Sequence, residues 1–180
     1  FHKGIGSVAE RNFRPHVNCV NITPDQKYLC AVDLGVDQVK IYKFNDETGK
    51  ITLVDMLRCE LESAPRIIKF SPDGRFAYLI CELKNYISVY TYKDGPRGPV
   101  FELVQTISTL NEYHSKGSAA CVLRFSRDWN YVLCSNAGDN SVGIFKIDRE
   151  TGMLEKICIL PVSGDYPKAA DFFPDNRHIM

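Results

Sequence analysis

The chain has 180 residues, of which 44% are hydrophobic and 24% charged, and its formal net charge is zero. These values are ordinary for a folded domain and argue against a disordered chain. The balance of 22 basic and 22 acidic residues argues against nucleic-acid or anionic-membrane partners. No apolar run approaches the roughly 20 residues that span a bilayer. We therefore expect a folded protein that binds neither nucleic acid nor membrane.

A short sequence motif, or phrase, occurs four times along the chain, at a spacing close to 50 residues. The copies are Ile22-Thr23-Pro24-Asp25, Phe70-Ser71-Pro72-Asp73-Gly74, Phe125-Ser126-Arg127-Asp128 and Phe173-Pro174-Asp175. A repeat of this period is typical of solenoids, propellers and repeat arrays. Aspartate side chains cap tight turns, so the first three repeated aspartates, Asp25, Asp73 and Asp128, are predicted to be turn formers. Trp129 stands where a glycine is expected in such a turn, and we interpret it as a surface or edge contact.

Strand-like runs follow each of the first three copies of the phrase in the same order. They are short, rich in β-branched and aromatic residues, and separated by turn residues. The runs cover 28–32, 39–44 and 51–54, then 76–80, 87–92 and 101–107, then 131–134, 142–147 and 154–160. No window shows a sustained helical period over ten or more residues. Together with the run that ends in the phrase itself, each repeat of about 50 residues has four strands, which predicts the blade of a β-propeller.

The predicted blades span about 16–62, 65–112 and 119–165, with a partial blade over 168–180. The whole chain would then be a single β-propeller region of about three and a half blades. A propeller closes by joining its last blade to its first. We therefore expect a fragment of a longer chain, whose remaining blades would be its structural partners.

Cysteine and histidine usage bears on compartment and cofactors. The seven cysteines form no Cys-x-x-Cys pair, and most lie inside strand runs (Cys19, Cys30, Cys81, Cys121, Cys134 and Cys158). This pattern favours reduced thiols and a cytoplasmic location. The four histidines, His2, His16, His114 and His178, show no metal-ligand spacing. Neither a metal nor another cofactor is expected.

Several motifs at blade spacing carry a family resemblance. They are Pro15-His16-Val17-Asn18, Pro65-Arg66, Glu82-Leu83 and Ser135-Asn136-x-Gly138, together with the opening His2-x-Gly4, Ser7 and Arg11. This ordered set resembles the propeller lactonases over essentially all 180 residues. That family contains bacterial seven-bladed 6-phosphogluconolactonases and a fungal propeller enzyme that lactonises carboxy-muconate. The resemblance implies a seven-bladed, carbohydrate-metabolising hydrolase that acts on a sugar-acid lactone such as 6-phosphogluconolactone.

Lactone hydrolysis requires a base to activate water, donors for the oxyanion, and cations for a phosphorylated substrate. His16, Arg66 and Glu82 are suitable residue types and match the family positions proposed to be functional. Glu82 or His16 would transfer the proton, and Arg66 would bind the carbonyl or phosphate. Lys168 and Asn136 are candidate substrate-binding residues. A structural interpretation remains open, in which His16 is a hydrogen-bonded structural histidine and Arg66 pairs with Glu82 or Glu62.

The chain departs from the family pattern at three positions. Ile67 stands where the family tends to carry histidine, Ala137 where it tends to carry arginine, and Lys168 where it commonly has arginine. Lysine replaces arginine only partially, because an ammonium cannot bind an anion through two parallel hydrogen bonds. A second function class therefore stays open, in which the propeller is a non-catalytic binding or scaffolding module.

Overall fold

The computed structural model describes residues 2–6 and 14–180, so Ser7 and Arg11 of the opening motif lie outside the described residues. Within those ranges the chain forms twelve β-strands. They are β1 (Val17–Ile22), β2 (Tyr28–Asp33), β3 (Gln38–Phe44), β4 (Ile51–Arg58), β5 (Pro65–Phe70), β6 (Phe76–Cys81), β7 (Tyr86–Gly95), β8 (Gly98–Ser108), β9 (Arg124–Phe125), β10 (Tyr131–Asn136), β11 (Ser141–Ile147) and β12 (Leu154–Pro161). The helical content of this part is a single 3₁₀ turn, Leu34–Val36, and no helix there is long and apolar enough to cross a membrane.

The strands form three four-stranded antiparallel sheets, each built from consecutive strands: β1–β4, β5–β8 and β9–β12. We refer to them as blades 1, 2 and 3, and to β1, β5 and β9 as their inner strands. The predicted all-β architecture of four-stranded propeller blades is confirmed. Past blade 3, residues 168–180 contribute one isolated bridge, between Phe172 and Ile179.

The blades stack through apolar side chains, and alternate residues of β6 enter the cores on the two sides of blade 2. Ile41 of blade 1 and Ile68 of blade 2 are fully buried in the core between those two blades. Tyr78 of blade 2 and Phe145 of blade 3 are fully buried in the next core. Each such side chain contributes about 1.5–3 kcal/mol relative to exposure. This packing sets the inner strands of the blades side by side.

The repeated aspartates close the turns between the first and second strands of the blades. Asp73 Oδ1 accepts hydrogen bonds from Ser71 Oγ at 2.6 Å and from the Arg75 backbone N at 3.1 Å. Asp25 and Asp128 make the equivalent bonds in the other two blades. The prediction that these aspartates form turns is confirmed.

Trp129 makes more than the surface or edge contact expected from the sequence. It adopts a left-handed backbone conformation, with φ of +56°, at the position that Gly74 occupies in blade 2. Its indole is half-buried and stacks on the Phe125 ring, with 4.3 Å between ring centroids. The expectation was wrong in this respect, because stacking on the aromatic residue of the same turn sequence draws the indole inward.

None of the seven cysteines is in a disulfide, and all seven lie in the part of the chain that the structure describes. Cys30, Cys81 and Cys134 are buried in the blade cores. Burial raises the pKa of the Cys30 and Cys134 thiols to about 12, because a thiolate is poorly solvated there. These two side chains therefore act as small apolar groups at neutral pH.

Candidate functional site

A groove of about 390 Å³ runs along the inner strands of neighbouring blades. It is lined by residues of β1 and β5, by the segment leading into β9, and by Lys168. Four of the lining side chains are cationic: Arg66, Lys69, Arg124 and Lys168. No carboxylate lines the groove among the described residues. Two of these cations pair with carboxylates outside the lining, Arg66 with Glu82 and Arg124 with Asp171, so the excess positive charge of the groove comes from the two lysines.

The lining residues occupy equivalent positions in successive repeats. Seven residues before the four turn aspartates stand Asn18, Arg66, Cys121 and Lys168, and all four line the groove. Four residues before the same aspartates stand Asn21, Lys69, Arg124 and Asp171, and the first three line the groove. We call these sets the first and second layers. His16 lies two residues before the first layer, so the repeat equivalent of Arg66 is Asn18.

A β-bulge turns the first-layer side chains of blades 1 and 2 out of the regular ladder. The register shifts between Val17 and Cys19 in β1, and between Pro65 and Ile67 in β5. Asn18 and Arg66 are therefore the extra, unpaired residues of the two bulges. Bulges often redirect a side chain beside a functional site.

Arg66 connects two blades and a buried carboxylate. Its Nε donates to the Cys121 backbone oxygen at 2.9 Å, and its Nη1 pairs with Glu82 Oε2. The Arg66 side chain is 27% exposed and that of Glu82 only 8%. The observed partner is Glu82, not Glu62. Within residues 2–6 and 14–180, Nη2 of Arg66 forms no hydrogen bond.

The main chain of Glu82 is hydrogen-bonded to the segments that lead into β5 and β9. Its backbone N donates to the Ala64 oxygen at 2.8 Å, and its backbone oxygen accepts from the Ala120 N at 3.0 Å. An ionised carboxylate that is nearly removed from water must be paired, and Arg66 provides that pairing. This geometry makes Glu82 a counter-ion that orients Arg66.

His16 is exposed and its main chain is fixed. The His16 backbone N donates to Asp33 Oδ1 at 2.7 Å, and its backbone oxygen accepts from the Leu34 N at 3.0 Å. Its imidazole makes no hydrogen bond within the described part of the chain. The ring is therefore accessible to a substrate, while the backbone beneath it is held.

The Asp33 carboxylate, which accepts a hydrogen bond from the His16 backbone N, also binds the opening segment of the chain. Asp33 is fully buried, pairs with His2 Nδ1, and accepts from the Gly35 N at 3.1 Å. Gly35 lies so close to this segment that an added Cβ would come within 1.8 Å of the Arg14 backbone oxygen. Glycine at position 35 is thus required for the close approach of the His16 segment to the turn.

Three residues that sequence reasoning missed anchor the loops that lead to the groove. Asp37, Asn85 and Asn140 each follow a turn aspartate by 12 residues, and each has a left-handed backbone with φ of 52° or 53°. Asp37 accepts from the backbone N of Glu62 at 3.0 Å and of Ala64 at 2.8 Å, just before Arg66. Asn85 donates to the Ser118 oxygen at 3.0 Å, and Asn140 accepts from the Tyr166 N at 2.8 Å. Their constant offset is the signal that could have revealed them.

The two predicted substrate-binding residues lie in different environments. Lys168 is exposed in the groove, with its ammonium 5.0 Å from the Tyr166 ring centroid. Asn136 is fully buried, and its Nδ2 donates to the Thr109 oxygen at 2.8 Å and to Ser141 Oγ at 3.0 Å. Asn136 thus supports the turn between β10 and β11. No cluster of three or more His, Cys, Asp or Glu side chains suited to a metal ion occurs in the ranges described.

Comparisons with known proteins agree with this architecture. The family model described as lactonase, 7-bladed beta-propeller, matches residues 1–180. An uncharacterized protein of Staphylococcus epidermidis is 36% identical over 171 residues, which are 95% of this chain and 48% of that protein. One from Staphylococcus saprophyticus is 33% identical over 160 residues, covering 89% and 45%. The chain spans about half the length of the curated relatives it matches.

Solved structures give the same picture. A protein from Lactobacillus plantarum superposes with a TM-score of 0.88 at 29% identity, over 99% of this chain and 50% of that one. The periplasmic gluconolactonase of Pseudomonas aeruginosa gives 0.83 at 30% identity, over 92% and 46%. A provisionally assigned 6-phosphogluconolactonase of Bacteroides fragilis gives 0.85 at 30% identity, over 99% and 50%.

Proposed function

The chain belongs to the seven-bladed β-propeller lactonase family, and we propose that it hydrolyses the ester bond of a sugar-acid lactone such as 6-phosphogluconolactone. The observation that carries the proposal is the cationic groove, in which Arg66 is oriented by a buried carboxylate. Two residues before the first layer of that groove, His16 has an exposed imidazole on a fixed backbone. Hydrolysis of a lactone needs above all a group that polarises the carbonyl and a base that activates water.

The proposed reaction assigns one role to each group. Water adds to the lactone carbonyl carbon while its proton passes to the His16 imidazole, which acts as the general base. Arg66 stabilises the oxyanion through its Nη2 donors. The ring C–O bond then breaks, the ring oxygen takes the proton back from His16, and the open-chain acid is released and ionises in solution. Glu82 keeps Arg66 in position, and Lys168 binds oxygens of the substrate.

A second candidate function is a non-catalytic binding module. Arg66 is bonded both to Glu82 and to the Cys121 oxygen, which is also what an inter-blade brace would do. Ala137, where the family tends to carry arginine, is fully buried. These two observations favour a propeller that retains the fold and binds a ligand without turning it over.

We also propose that the protein works in a reducing compartment such as the cytoplasm. The support is the cysteine content: seven thiols, none in a disulfide. Disulfides form and persist in oxidising compartments and are rare in the cytosol.

Proton release from δ-gluconolactone and from 6-phosphogluconolactone, followed by pH-stat, tests the proposal. The protein should be the longest native chain that contains these 180 residues. We expect a saturable rate above spontaneous hydrolysis, and a loss of about 100-fold or more in His16→Gln. Rates equal to buffer on both lactones would overturn the enzymatic proposal and favour the binding module.

A further inference from the structure

The second layer of the groove contains a cation whose charge nothing in the described chain balances. Lys69, on β5, is half-buried and lines the groove, and it forms no ion pair or hydrogen bond through its ammonium within residues 2–6 and 14–180. The other cations are engaged. Arg66 pairs with Glu82, Arg124 lies 3.3 Å from Asp171, and Lys168 contacts the Tyr166 ring.

A half-buried ammonium without a counter-ion is unfavourable, because part of its hydration is lost and no charge replaces it. An anion bound beside Lys69 would correct this. Arg124 stands at the equivalent position of blade 3 and lines the same groove. Its contact with Asp171 is long and half-exposed, so its guanidinium can also bond to a second anion.

The two layers are separated by three residues, or about 10 Å along a strand. The first layer holds Arg66, which the proposed function assigns to the lactone carbonyl. A group bound in the second layer would therefore be a different part of the same molecule. Long lysine and arginine side chains can close much of the distance between the two layers.

We propose that Lys69 and Arg124 form an anion subsite that binds the phosphate of a phosphorylated sugar lactone, while Arg66 binds its carbonyl. This inference rests on the proposed function for its substrate class. It assigns phosphate selectivity to the second layer, three residues along the inner strands from the first-layer cations Arg66 and Lys168.

Binding of the reaction products tests the subsite without requiring turnover. The affinities of 6-phosphogluconate and of gluconate would be measured by calorimetry at low and moderate salt. The wild-type protein should bind the phosphorylated acid at least about tenfold more tightly, since hydrogen bonds between charged partners are worth that much. Moderate salt should reduce this preference, because it screens the phosphate charge.

Four variants separate the subsite from general effects of charge and folding. Lys69→Gln should abolish the preference for the phosphorylated acid by weakening 6-phosphogluconate much more than gluconate, whereas Lys69→Arg should retain the preference. Arg124→Gln should also reduce the preference for the phosphorylated acid. Lys50→Gln is the matched control, because Lys50 is exposed in the hairpin loop of blade 1 and does not line the groove.

The outcomes distinguish this inference from the proposed function. If the phosphate preference depends on Lys69 but neither lactone is hydrolysed, the subsite stands and the enzymatic proposal fails. If both lactones are hydrolysed and wild type shows no phosphate preference, the subsite is wrong and the enzymatic proposal stands. A preference that survives in both Lys69→Gln and Arg124→Gln would equally overturn the subsite.

Discussion

The Nε of Arg66 donates a hydrogen bond to the backbone oxygen of Cys121 at 2.9 Å, which joins a side chain of one inner strand to the main chain of the next blade. The same guanidinium pairs with the buried Glu82. Arg66 therefore has two fixed bonds, and its remaining donors are held in a set direction. Such preorganisation is what a group that stabilises an oxyanion requires.

Glu82→Gln tests whether this carboxylate positions Arg66 or acts on the substrate itself. Because the variant leaves Arg66 with a neutral partner, the free energy of unfolding should fall by about 1.5–3 kcal/mol. The kcat on δ-gluconolactone should fall with it. Urea denaturation and pH-stat assays measure the two effects.

The control is a double-mutant cycle with Arg66→Gln, whose stability coupling should lie between about 0.5 and 3 kcal/mol. A Glu82→Gln protein of unchanged stability with no remaining hydrolysis would contradict the positioning role, and would point to Glu82 as the base.

Asp37→Ala should destabilise blades 1 and 2 together. The substitution removes the acceptor for two backbone N–H groups, of Glu62 and Ala64, and leaves alanine with a left-handed backbone. We expect a loss of about 2–4 kcal/mol in unfolding free energy, from the unpaired donors and the backbone strain. Denaturant titration measures it.

Asp37→Asn is the matched variant, because Asn85 and Asn140 occupy the equivalent positions in the other blades. Asparagine has one acceptor oxygen, whereas Asp37 accepts from Ala64 N with Oδ1 and from Glu62 N with Oδ2, so the variant keeps one of the two bonds and should lose about half as much as Asp37→Ala. A loss as large as that of Asp37→Ala would contradict the anchoring role of the acceptor that remains.

Much of the fold could be predicted because its determinants are local. Each blade is a meander of neighbouring strands, so the turn phrase and the short runs rich in β-branched and aromatic residues were enough to predict four-stranded sheets. The site was less accessible. Counting back from the turn aspartates relates Arg66 to Asn18 and Lys168, but the bulge that turns Arg66 out of the ladder leaves no mark on the sequence.

Buried polar roles were the hardest to foresee. Asn136 lies in a motif that resembles a binding element, yet its amide bonds to the Thr109 oxygen 27 residues away. Asp33 pairs with His2 across 31 residues. Such bonds depend on how loops cross the ends of the blades, and the period of the repeat carries no information about those crossings.

Gly35→Ala should displace the segment that carries His16. The added Cβ would meet the Arg14 oxygen at 1.8 Å and the His16 backbone N at 2.9 Å, and backbone atoms cannot move aside cheaply. We expect a stability loss of about 1–3 kcal/mol, as in other overpacked sites, together with a fall in hydrolysis. Gly164→Ala is the control, since its Cβ would meet nothing within 4 Å. Equal melting temperatures for wild type and Gly35→Ala would contradict this account of the turn.

Acid should weaken the fold through the turn aspartates. The Ser126 hydroxyl holds the pKa of Asp128 below its ordinary value, and the Arg177 backbone N–H, with His178, lowers the pKa of Asp175 to about 2. An unfolded aspartate titrates near 3.9. Because the folded pKa values are lower, the stabilisation is present above about pH 4 and is lost as the pH falls towards 2.

Urea midpoints measured between pH 5 and pH 2 should therefore decline, and Asp128→Asn should flatten that decline. Asp46→Asn, an exposed loop substitution in blade 1, serves as the comparison and should leave the curve unchanged. If Asp128→Asn retains the full wild-type dependence on pH, the turn hydrogen bonds are not its source.

The kcat/KM of Arg66→Gln on δ-gluconolactone, relative to wild type, tests the central claim most directly. If the groove of the inner strands is the lactone site, removal of the preorganised guanidinium should lower kcat/KM by about 100- to 1,000-fold, the usual cost of losing an oxyanion donor. Lys50→Gln should match wild type. An Arg66→Gln protein that melts cooperatively and retains the wild-type kcat/KM would contradict the assignment of this groove as the active site.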